Sequence, residues 1–425
     1  MPMDKKADIM IVGAGAAGLT SAIQAAREGA RVLVLEHMEA AGKKILSTGN
    51  GKCNFTNQKQ GIAYYRGKDP AFVLPVLGQF GLEGTLQFLE GLGIAPKCKR
   101  DGCYYPASGQ ASSVREVLLM ECRRLKAEIA CGIGIRSIEK RDGKFLFHTK
   151  QGEFESKACI LATGGKSAKK TGSDGSGIPY VIGFGHKEPE LVPALVQMQG
   201  KQKFLKDVAG VRIDGRVRLF VEGEPAAEDE GEIQLTEFGV SGIPAFQVSR
   251  YASYGLLEGK KVLCQLDFLP GMEKRQAKER MCQRFFAHGG GKTAGEAMTG
   301  LFPEKVNRVL LRESKIPWER EARACSQKEV GRLAYLAQHF EVDIIGTKGF
   351  DGAQATAGGV DTGEIDPRSM GSKLVQGLFF AGEVVDIDGM CGGYNLQWAW
   401  SSGTVAGRWA SAFCKKSRQA QGELG

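Results

Sequence analysis

The feature that most limits how this chain can fold lies between residues 8 and 36. A short run of buried-strand character, Asp8 to Val12, enters Gly13-Ala14-Gly15-Ala16-Ala17-Gly18, and an alanine-rich amphipathic stretch continues to about Glu28. A second strand pattern, Arg31 to Leu35, ends on Glu36, eighteen residues beyond the last of the three glycines. Strand, glycine turn, helix, strand and terminal acid in that order are the signature of a βαβ unit that holds a dinucleotide. Gly13 permits the tight turn, Gly15 lets backbone approach a pyrophosphate, and Gly18 lets the helix lie against the strand. The helix turns the positive end of its dipole toward the phosphates, and Glu36 can accept from both ribose hydroxyls. NAD and FAD both satisfy such a unit, so the choice between them rests on the rest of the chain.

A nicotinamide dehydrogenase would pass from Glu36 through a short helix into its third strand. Here a second glycine-rich stretch follows: Gly42-Lys43-Lys44, then Ser47-Thr48-Gly49-Asn50-Gly51-Lys52-Cys53-Asn54-Phe55-Thr56-Asn57. It is not helix-forming. It can offer backbone N–H groups, lysines and amides to a phosphate chain and to the polar edge of a flavin. Further on, the hydrophobic strand Cys159-Ile160-Leu161 runs into the small-residue turn Ala162-Thr163-Gly164-Gly165. Near the C-terminus the strand Gly377 to Ala381 ends at Gly382-Glu383, and Gly392-Gly393-Tyr394-Asn395-Leu396-Gln397 opens an apolar helix. A helix start there would stabilise the negative charge of a reduced flavin.

On these motifs the chain resembles the BaiN-like FAD-dependent oxidoreductases, also called the YhiN or aminoacetone-oxidase-like flavoproteins. Members carry GRK or GKK followed by a GGGRCNxTN-type loop; Lys52 stands where arginine is common and Asn50 where glycine is common. Residues 162–165 resemble the ATGG element of glutathione-reductase-like FAD domains, and Leu235 to Pro244 is similar to the family's LTxxGxSGP segment. The resemblance implies that the Gly382-Glu383 pair holds ribityl or phosphate oxygens and that the final helix faces the N1 and O2 edge of the isoalloxazine. It places the adenine against residues 127–138, with Ile135 as the contact. The expected FAD contacts are therefore Gly13, Gly15, Ala16, Ala17, Gly18, Glu36, His37, Lys43, Lys44, Ser47, Gly49, Asn50, Gly51, Lys52, Cys53, Asn54, Ile135, Ala162, Thr163, Gly164, Gly382, Glu383, Gly393, Tyr394, Asn395 and Leu396.

Turns so far apart in sequence can meet around one cofactor only if its domain is discontinuous. The expected architecture is α/β: a glutathione-reductase-like doubly wound FAD-binding domain from residues 1–190 and 355–425, interrupted by an insertion. Within the insertion, strand-like runs at Val211 to Val221 and Val262 to Leu266 predict a β-barrel-like subdomain over 191–270 and 336–354. Charged helical patterns at Arg280 to Phe286 and Pro303 to Arg312 predict a small α-helical subdomain over 271–335. The insertion carries no second GxGxxG with its own strand and acid, so NAD(P)H is expected as a transient reductant without a domain of its own. Gly289-Gly290-Gly291-Lys292-Thr293 lacks the spacing of a phosphate loop and reads as a loop that ends a helix.

Because a flavin brings the redox chemistry with it, the sequence dictates no acid or base. Tyr394 and Cys53 are the candidate catalytic residues, one as a proton donor and the other as a thiol; packing is the alternative role for each. Cys391, His37 and His186 draw attention for their chemistry but show no partner in the sequence. The resemblance implies hydride transfer to a small organic acceptor, specifically the conjugated C=C bond of a 3-oxo steroid or bile acid. Two other classes stay open: a nucleic-acid-associated flavoprotein, for example a tRNA-modifying enzyme, and a flavin carrier or redox sensor without turnover.

The remaining features set limits on partners. Eleven scattered cysteines without a CxxC pair predict reduced thiols, no metal site and a cytoplasmic location. No run of about eighteen apolar residues predicts a membrane span. The net charge is +9, and thirteen Lys or Arg against six Asp or Glu fall between Lys274 and Lys328. That segment could touch RNA, but it reads first as solvated helical faces, so a small-molecule substrate is expected rather than a nucleic acid. Nothing in the sequence sets an oligomeric state.

Overall fold

A computed structural model of the chain describes residues 4–99 and 101–422. The chain divides into two compact units, Met1–Leu191 with Ala355–Gly425, and Val192–Gln354.

The first unit is built on five parallel strands: β1 (Lys6–Val12), β2 (Val32–Leu35), β3 (Glu128–Ala130), β4 (Gly152–Leu161) and β5 (Leu378–Phe380). They lie in the order β3-β2-β1-β4-β5, each pair parallel, which is the strand order of a doubly wound dinucleotide fold. Ile9 to Val12 and the whole of β2 are buried, because a parallel sheet is covered on both faces and its strands read as continuous apolar runs. The first half of β4 also pairs antiparallel with Lys144–Thr149, which pairs in turn with Ile135–Arg141.

Helix α1 (Ala16–Arg27) leaves the glycine turn and packs along the C-terminal helix Tyr394–Gly422. The two approach closely because small residues face each other. A Cβ at Gly403 would lie 2.6 Å from the Ala17 carbonyl oxygen, and one at Gly407 would lie 2.5 Å from that of Ser21. Trp398 and Trp400 of the C-terminal helix are fully buried, and each indole N–H finds a carbonyl, Gly382 at 3.1 Å and Phe55 at 2.9 Å. Paired in this way, two large rings can be buried without stranding a donor. The same helix is thereby fixed against both the second glycine-rich stretch and the Gly-Glu turn.

The second unit contains a closed six-stranded antiparallel barrel. Its strands, in order around the wall, are Met198–Gly200, Gly239–Gly242, Glu224–Thr236, Arg212–Val221, Val262–Asp267 and Phe340–Thr347. Helices from residues 274–338 are inserted between the last two and share one hydrophobic core with the barrel interior. The strand Glu224–Thr236 has a run of acids in place of apolar alternation. Its partner strand explains why it forms: Arg216 faces Glu230 and Arg218 faces Glu228 in register, with guanidinium–carboxylate contacts of 2.9 and 3.4 Å. The LTEFGVSGIP segment closes the barrel. Cβ atoms at Gly239 and Gly242 would lie 2.0 and 2.4 Å from carbonyl oxygens of neighbouring strands, so only glycine fits either place. The helix read at Arg280 to Phe286 begins earlier, at Lys274, and passes at Gln283 into a π-helical turn ending at Ala287.

Candidate dinucleotide site

The turns that follow β1, β2, β3, β4 and β5 all lie at the carboxyl ends of the parallel strands, where open α/β sheets bind ligands. Gly13 adopts φ +100°, and a Cβ there would come within 2.6 Å of the Ala162 carbonyl oxygen, so this glycine lets the first and fourth strand ends meet. Gly18 has no room either: a Cβ would lie 1.9 Å from the Gly13 carbonyl oxygen. Gly15 differs, since a Cβ there would meet nothing within 4 Å. Gly15 is also the N-cap of α1 and supplies no side chain to the first turn, which leaves the amides of Ala16, Ala17 and Gly18 to an incoming acceptor.

Glu36 is buried at the end of β2. One carboxylate oxygen accepts from the Ala14 amide at 2.7 Å and the other from the Met38 amide at 2.8 Å. Both oxygens keep further lone pairs, so the acid is oriented by backbone and can still accept from hydroxyls. His37 lies beside it, its ring nitrogens 3.4 Å from Glu36 and 3.9 Å from Asp174. Ile135 opens its strand, and its carbonyl accepts from the Tyr180 hydroxyl at 2.7 Å. Two residues just before it bond to the Glu36 turn, Gly132 N–H to the Met38 carbonyl and Ile133 N–H to that of Glu36.

The second glycine-rich stretch is tied to the first turn by the Gly42 amide, which donates to the Ala14 carbonyl at 2.8 Å. Lys43–Ser47 form a short helix, and the backbone then coils through positive φ at Gly49, Asn50, Gly51 and Cys53. Ser47 at the helix end and Gly49, Asn50, Gly51 and Lys52 on that coil are exposed, and Lys43 is half-buried. Cys53 turns inward. Burial pushes its thiol up to about 12, only partly offset by a hydrogen bond with Thr48, so it is held as a neutral thiol. Asn54, with its amide oriented to suit its neighbours, donates to the carbonyls of Thr56 and Tyr104 and accepts from the Gly393 N–H at 3.3 Å. Thr56 donates to Gln397, whose own amide donates to Thr85 and Ser401, so the stretch and the first turn of the C-terminal helix form one buried polar network.

Glu383 is the junction of the remaining turns. One of its oxygens accepts from the Thr356 amide at 2.7 Å; the other takes the Lys44 ammonium at 2.6 Å and the Gly165 amide at 3.4 Å. Lys44 also reaches the Ser173 hydroxyl at 3.3 Å, and a Cβ at Gly164 would touch that hydroxyl at 3.1 Å. Gly382, at φ +76°, lies against Ala17, where a Cβ would come within 2.8 Å of the alanine methyl. The Thr163 hydroxyl is buried with no hydrogen-bond partner among the described residues. At the start of the C-terminal helix, Asn395 clamps Gly389 through both its amide and its carbonyl, at 2.8 Å each, and Leu396 is half-buried. Tyr394 is buried, stacked on Tyr64 at 4.6 Å and edge-on to Tyr65 at 5.9 Å.

Met38, Gly132, Ile133, Ser173, Thr356 and Tyr64 therefore join a site that sequence reasoning did not assign to them. Only Tyr64, in a tyrosine pair shortly after the CNFTN run, carried a visible signal. His186 is a structural residue, its ring nitrogens 2.9 Å from Glu364 and 2.9 Å from the Ser372 hydroxyl, with Phe380 edge-on at 5.0 Å.

Residues 7–409 match the family described as the HI0933-like protein Rossmann domain. The chain belongs to the HI0933-like family. Among its relatives is a 3-dehydro-bile acid delta(4,6)-reductase of Clostridium scindens, 42% identical over 408 residues, covering 95% of this chain and 98% of that protein. A ribosomal RNA dihydrouridine synthase of Haemophilus influenzae is 30% identical over 412 residues, 94% of this chain and 97% of the relative. Among solved structures, the open conformation of a flavocytochrome c3 fumarate reductase covers 97% of this chain and 79% of its own, with a TM-score of 0.50 at 15% identity. That last likeness is one of fold. The BaiN-like resemblance and the doubly wound fold with an inserted barrel both stand. Among the described residues no single helix is long and apolar enough to cross a membrane.

Proposed function

We propose that this HI0933-like chain holds FAD at the carboxyl ends of its parallel strands and uses it to reduce a carbon–carbon double bond conjugated to a carbonyl. One observation carries the reading: an uncapped helix start with open space at Gly15, a backbone-oriented buried acid at Glu36, and the Lys44–Glu383 junction assemble on one sheet edge from segments far apart in sequence. These residues fit the parts of FAD in turn. The amides of Ala16, Ala17 and Gly18 would take the pyrophosphate, Glu36 the adenosine ribose, and Lys44, Glu383 and the start of the C-terminal helix the ribityl chain and the polar edge of the ring. FAD supplies two-electron redox chemistry when bound.

The relatives support the substrate class. A 3-dehydro-bile acid delta(4,6)-reductase and a dihydrouridine synthase are named for unlike molecules, yet each name describes saturation of a C=C bond in conjugation with a carbonyl. The higher identity and nearly complete coverage of the first favour a 3-oxo steroid or bile acid as the substrate here. NAD(P)H is the proposed electron donor, docking transiently.

A ribosomal RNA substrate is the second reading, favoured by the name of the Haemophilus relative and by the basic segment between Lys274 and Lys328. Local pairing weakens it: Arg308 is held by Glu304 and lies over Trp318, Arg312 by Asp207, Arg320 by Glu329, and Arg284 caps the carbonyls of Ala297 and Thr299. The test is anaerobic. Purified yellow protein should bleach with NADH or NADPH and regain its colour on adding a 3-oxo-4-ene bile acid. Recolouring only with uridine-containing ribosomal RNA would move the substrate to the second reading, and colourless protein that takes up no FAD would end both.

A further inference from the structure

Saturating a conjugated C=C bond needs a hydride at the β-carbon and a proton at the α-carbon, and the reading above leaves the proton without a source. At the start of the C-terminal helix one side chain is suited to give it. Tyr394 is only 3% exposed, and no hydrogen bond joins its hydroxyl to any of the described residues, while the hydroxyl of the adjoining Tyr65 is fully buried and unpartnered among them. A phenol whose O–H no protein group takes can donate it to a bound molecule. Its ring is held on two sides, parallel to Tyr64 within 5° at 4.6 Å and edge-on to Tyr65 at 79°. The backbone fixes both neighbours, Tyr65 pairing with Gly389 and the Tyr64 carbonyl accepting from Met390 N–H at 2.9 Å. Tyr64 is half-buried and so reaches toward solvent.

We propose that Tyr394 is the proton donor of the reduction and that Tyr64 is the positioning residue through which its proton is restored. The inference rests on the conjugated-carbonyl reading. FAD held by the residues named above and reduced by a nicotinamide donor would supply the hydride, two electrons with one proton, to the β-carbon. The C=C π bond breaks, a C–H bond forms, and the charge passes to the carbonyl as an enolate. The Tyr394 O–H bond then breaks and its proton makes the second C–H bond at the α-carbon. Water returns a proton to the phenolate by way of the Tyr64 hydroxyl. Burial, then the neighbouring Tyr64 phenol and Cys103 thiol, hold Tyr394 protonated well above the ordinary phenol range. Since an enolate is far more basic than a phenolate, the transfer still runs downhill.

The test separates half-reactions in wild type, Tyr394→Phe and Tyr64→Phe, using a 3-oxo-4-ene bile acid as the probe. Bleaching by the nicotinamide donor and equilibrium binding of the probe to the oxidised protein should stay within twofold in both variants. Reoxidation by the probe should slow about 100-fold in Tyr394→Phe and about 10-fold in Tyr64→Phe. In heavy water the wild type should place deuterium on one face of the α-carbon, and Tyr394→Phe on both. Wild-type reoxidation that fails altogether sinks the substrate reading. Normal wild-type reoxidation with an equally fast, equally stereospecific Tyr394→Phe overturns the proton donor alone, and so does a loss of probe binding that matches the loss of rate. Should Tyr394→Phe fail to keep flavin, Tyr64→Phe decides, and an unchanged reoxidation rate there overturns the pair.

Discussion

Lys44 and Glu383 stand 339 positions apart in sequence, and their charged tips meet at 2.6 Å. The pair is mostly buried, and the same carboxylate accepts from the backbone of two further turns, at Thr356 and Gly165. Glu383 thus holds three strand ends in register as well as neutralising the lysine. Changing it to alanine strands Lys44 and two amides at once, at a cost of about 2 kcal/mol to the assembled site. The expected result for Glu383→Ala is a 10- to 100-fold rise in the FAD dissociation constant, read by the return of free-flavin fluorescence on dilution. Unchanged retention would mean that the junction is not part of the cofactor site.

Two glycines of the fingerprint should behave in opposite ways. A methyl at Gly18 would run into the Gly13 carbonyl oxygen, whereas one at Gly15 would meet nothing within 4 Å. Gly18→Ala should therefore strain the flavin-free fold itself, by about 2 kcal/mol and several degrees in Tm. Gly15→Ala should leave the flavin-free Tm unchanged while weakening FAD binding, because its methyl would occupy the space a pyrophosphate takes. Thermal melts of apo and FAD-loaded samples separate the two; equal effects from both variants would contradict the geometry.

Glu36 already accepts from Ala14 and Met38 before any ribose is considered. Glu36→Gln replaces one acceptor oxygen with a donor that faces an N–H group. It should weaken FAD binding at least tenfold, about 1.4 kcal/mol, with little loss of fold. Titration of FAD into the stripped protein measures this directly.

The β1–α1–β2 unit was legible in the sequence because its constraints are local. Gly13 and Gly18 are fixed by atoms within a few residues or one strand away, and the strands are apolar throughout because both faces are covered. The closing pairs were not legible. Nothing near Lys44 announces Glu383, and nothing near Glu383 announces the Thr356 amide. Strand Glu224–Thr236 was hidden for a related reason, since its acids make sense only opposite the arginines of the neighbouring strand. Backbone hydrogen bonds bring Gly132 and Ile133 to the end of β2, and such bonds leave no mark on residue type. The glycines of LTEFGVSGIP have a packing reason visible only once the barrel closes.

The cysteines allow a chemical check on Cys53. None of the eleven is in a disulfide; Cys98 and Cys131 are exposed, whereas Cys53 is buried with its thiol pushed up to about 12. Brief treatment of the native protein with iodoacetamide at pH 8 should modify Cys98 first and leave Cys53 untouched, since only the thiolate reacts. Peptide mass spectrometry reads the order. Early labelling of Cys53 would restore it as a redox thiol.

Acid stability should depend on Glu121, a buried carboxylate between the end of α1 and the helix Ala111–Arg124. Hydrogen bonds from Arg124 and then Arg27 hold it at about 2, against an ordinary value of 4.5. A carboxyl whose value is lower in the folded chain than in the unfolded one stabilises the fold fully above about pH 4.5. That contribution drains away as the pH falls through the folded value near 2. Arg27 is about one-third exposed and Arg124 two-thirds, so solvent screens the pair and its worth is about 1–2 kcal/mol. Urea unfolding of wild type and Glu121→Gln should therefore show a gap of that size at pH 7 that narrows steadily at pH 4 and pH 3. The gap should also shrink at pH 7 in molar salt, because both cations are partly in water. A gap that stayed constant with pH would show that Glu121 contributes by shape and not by charge.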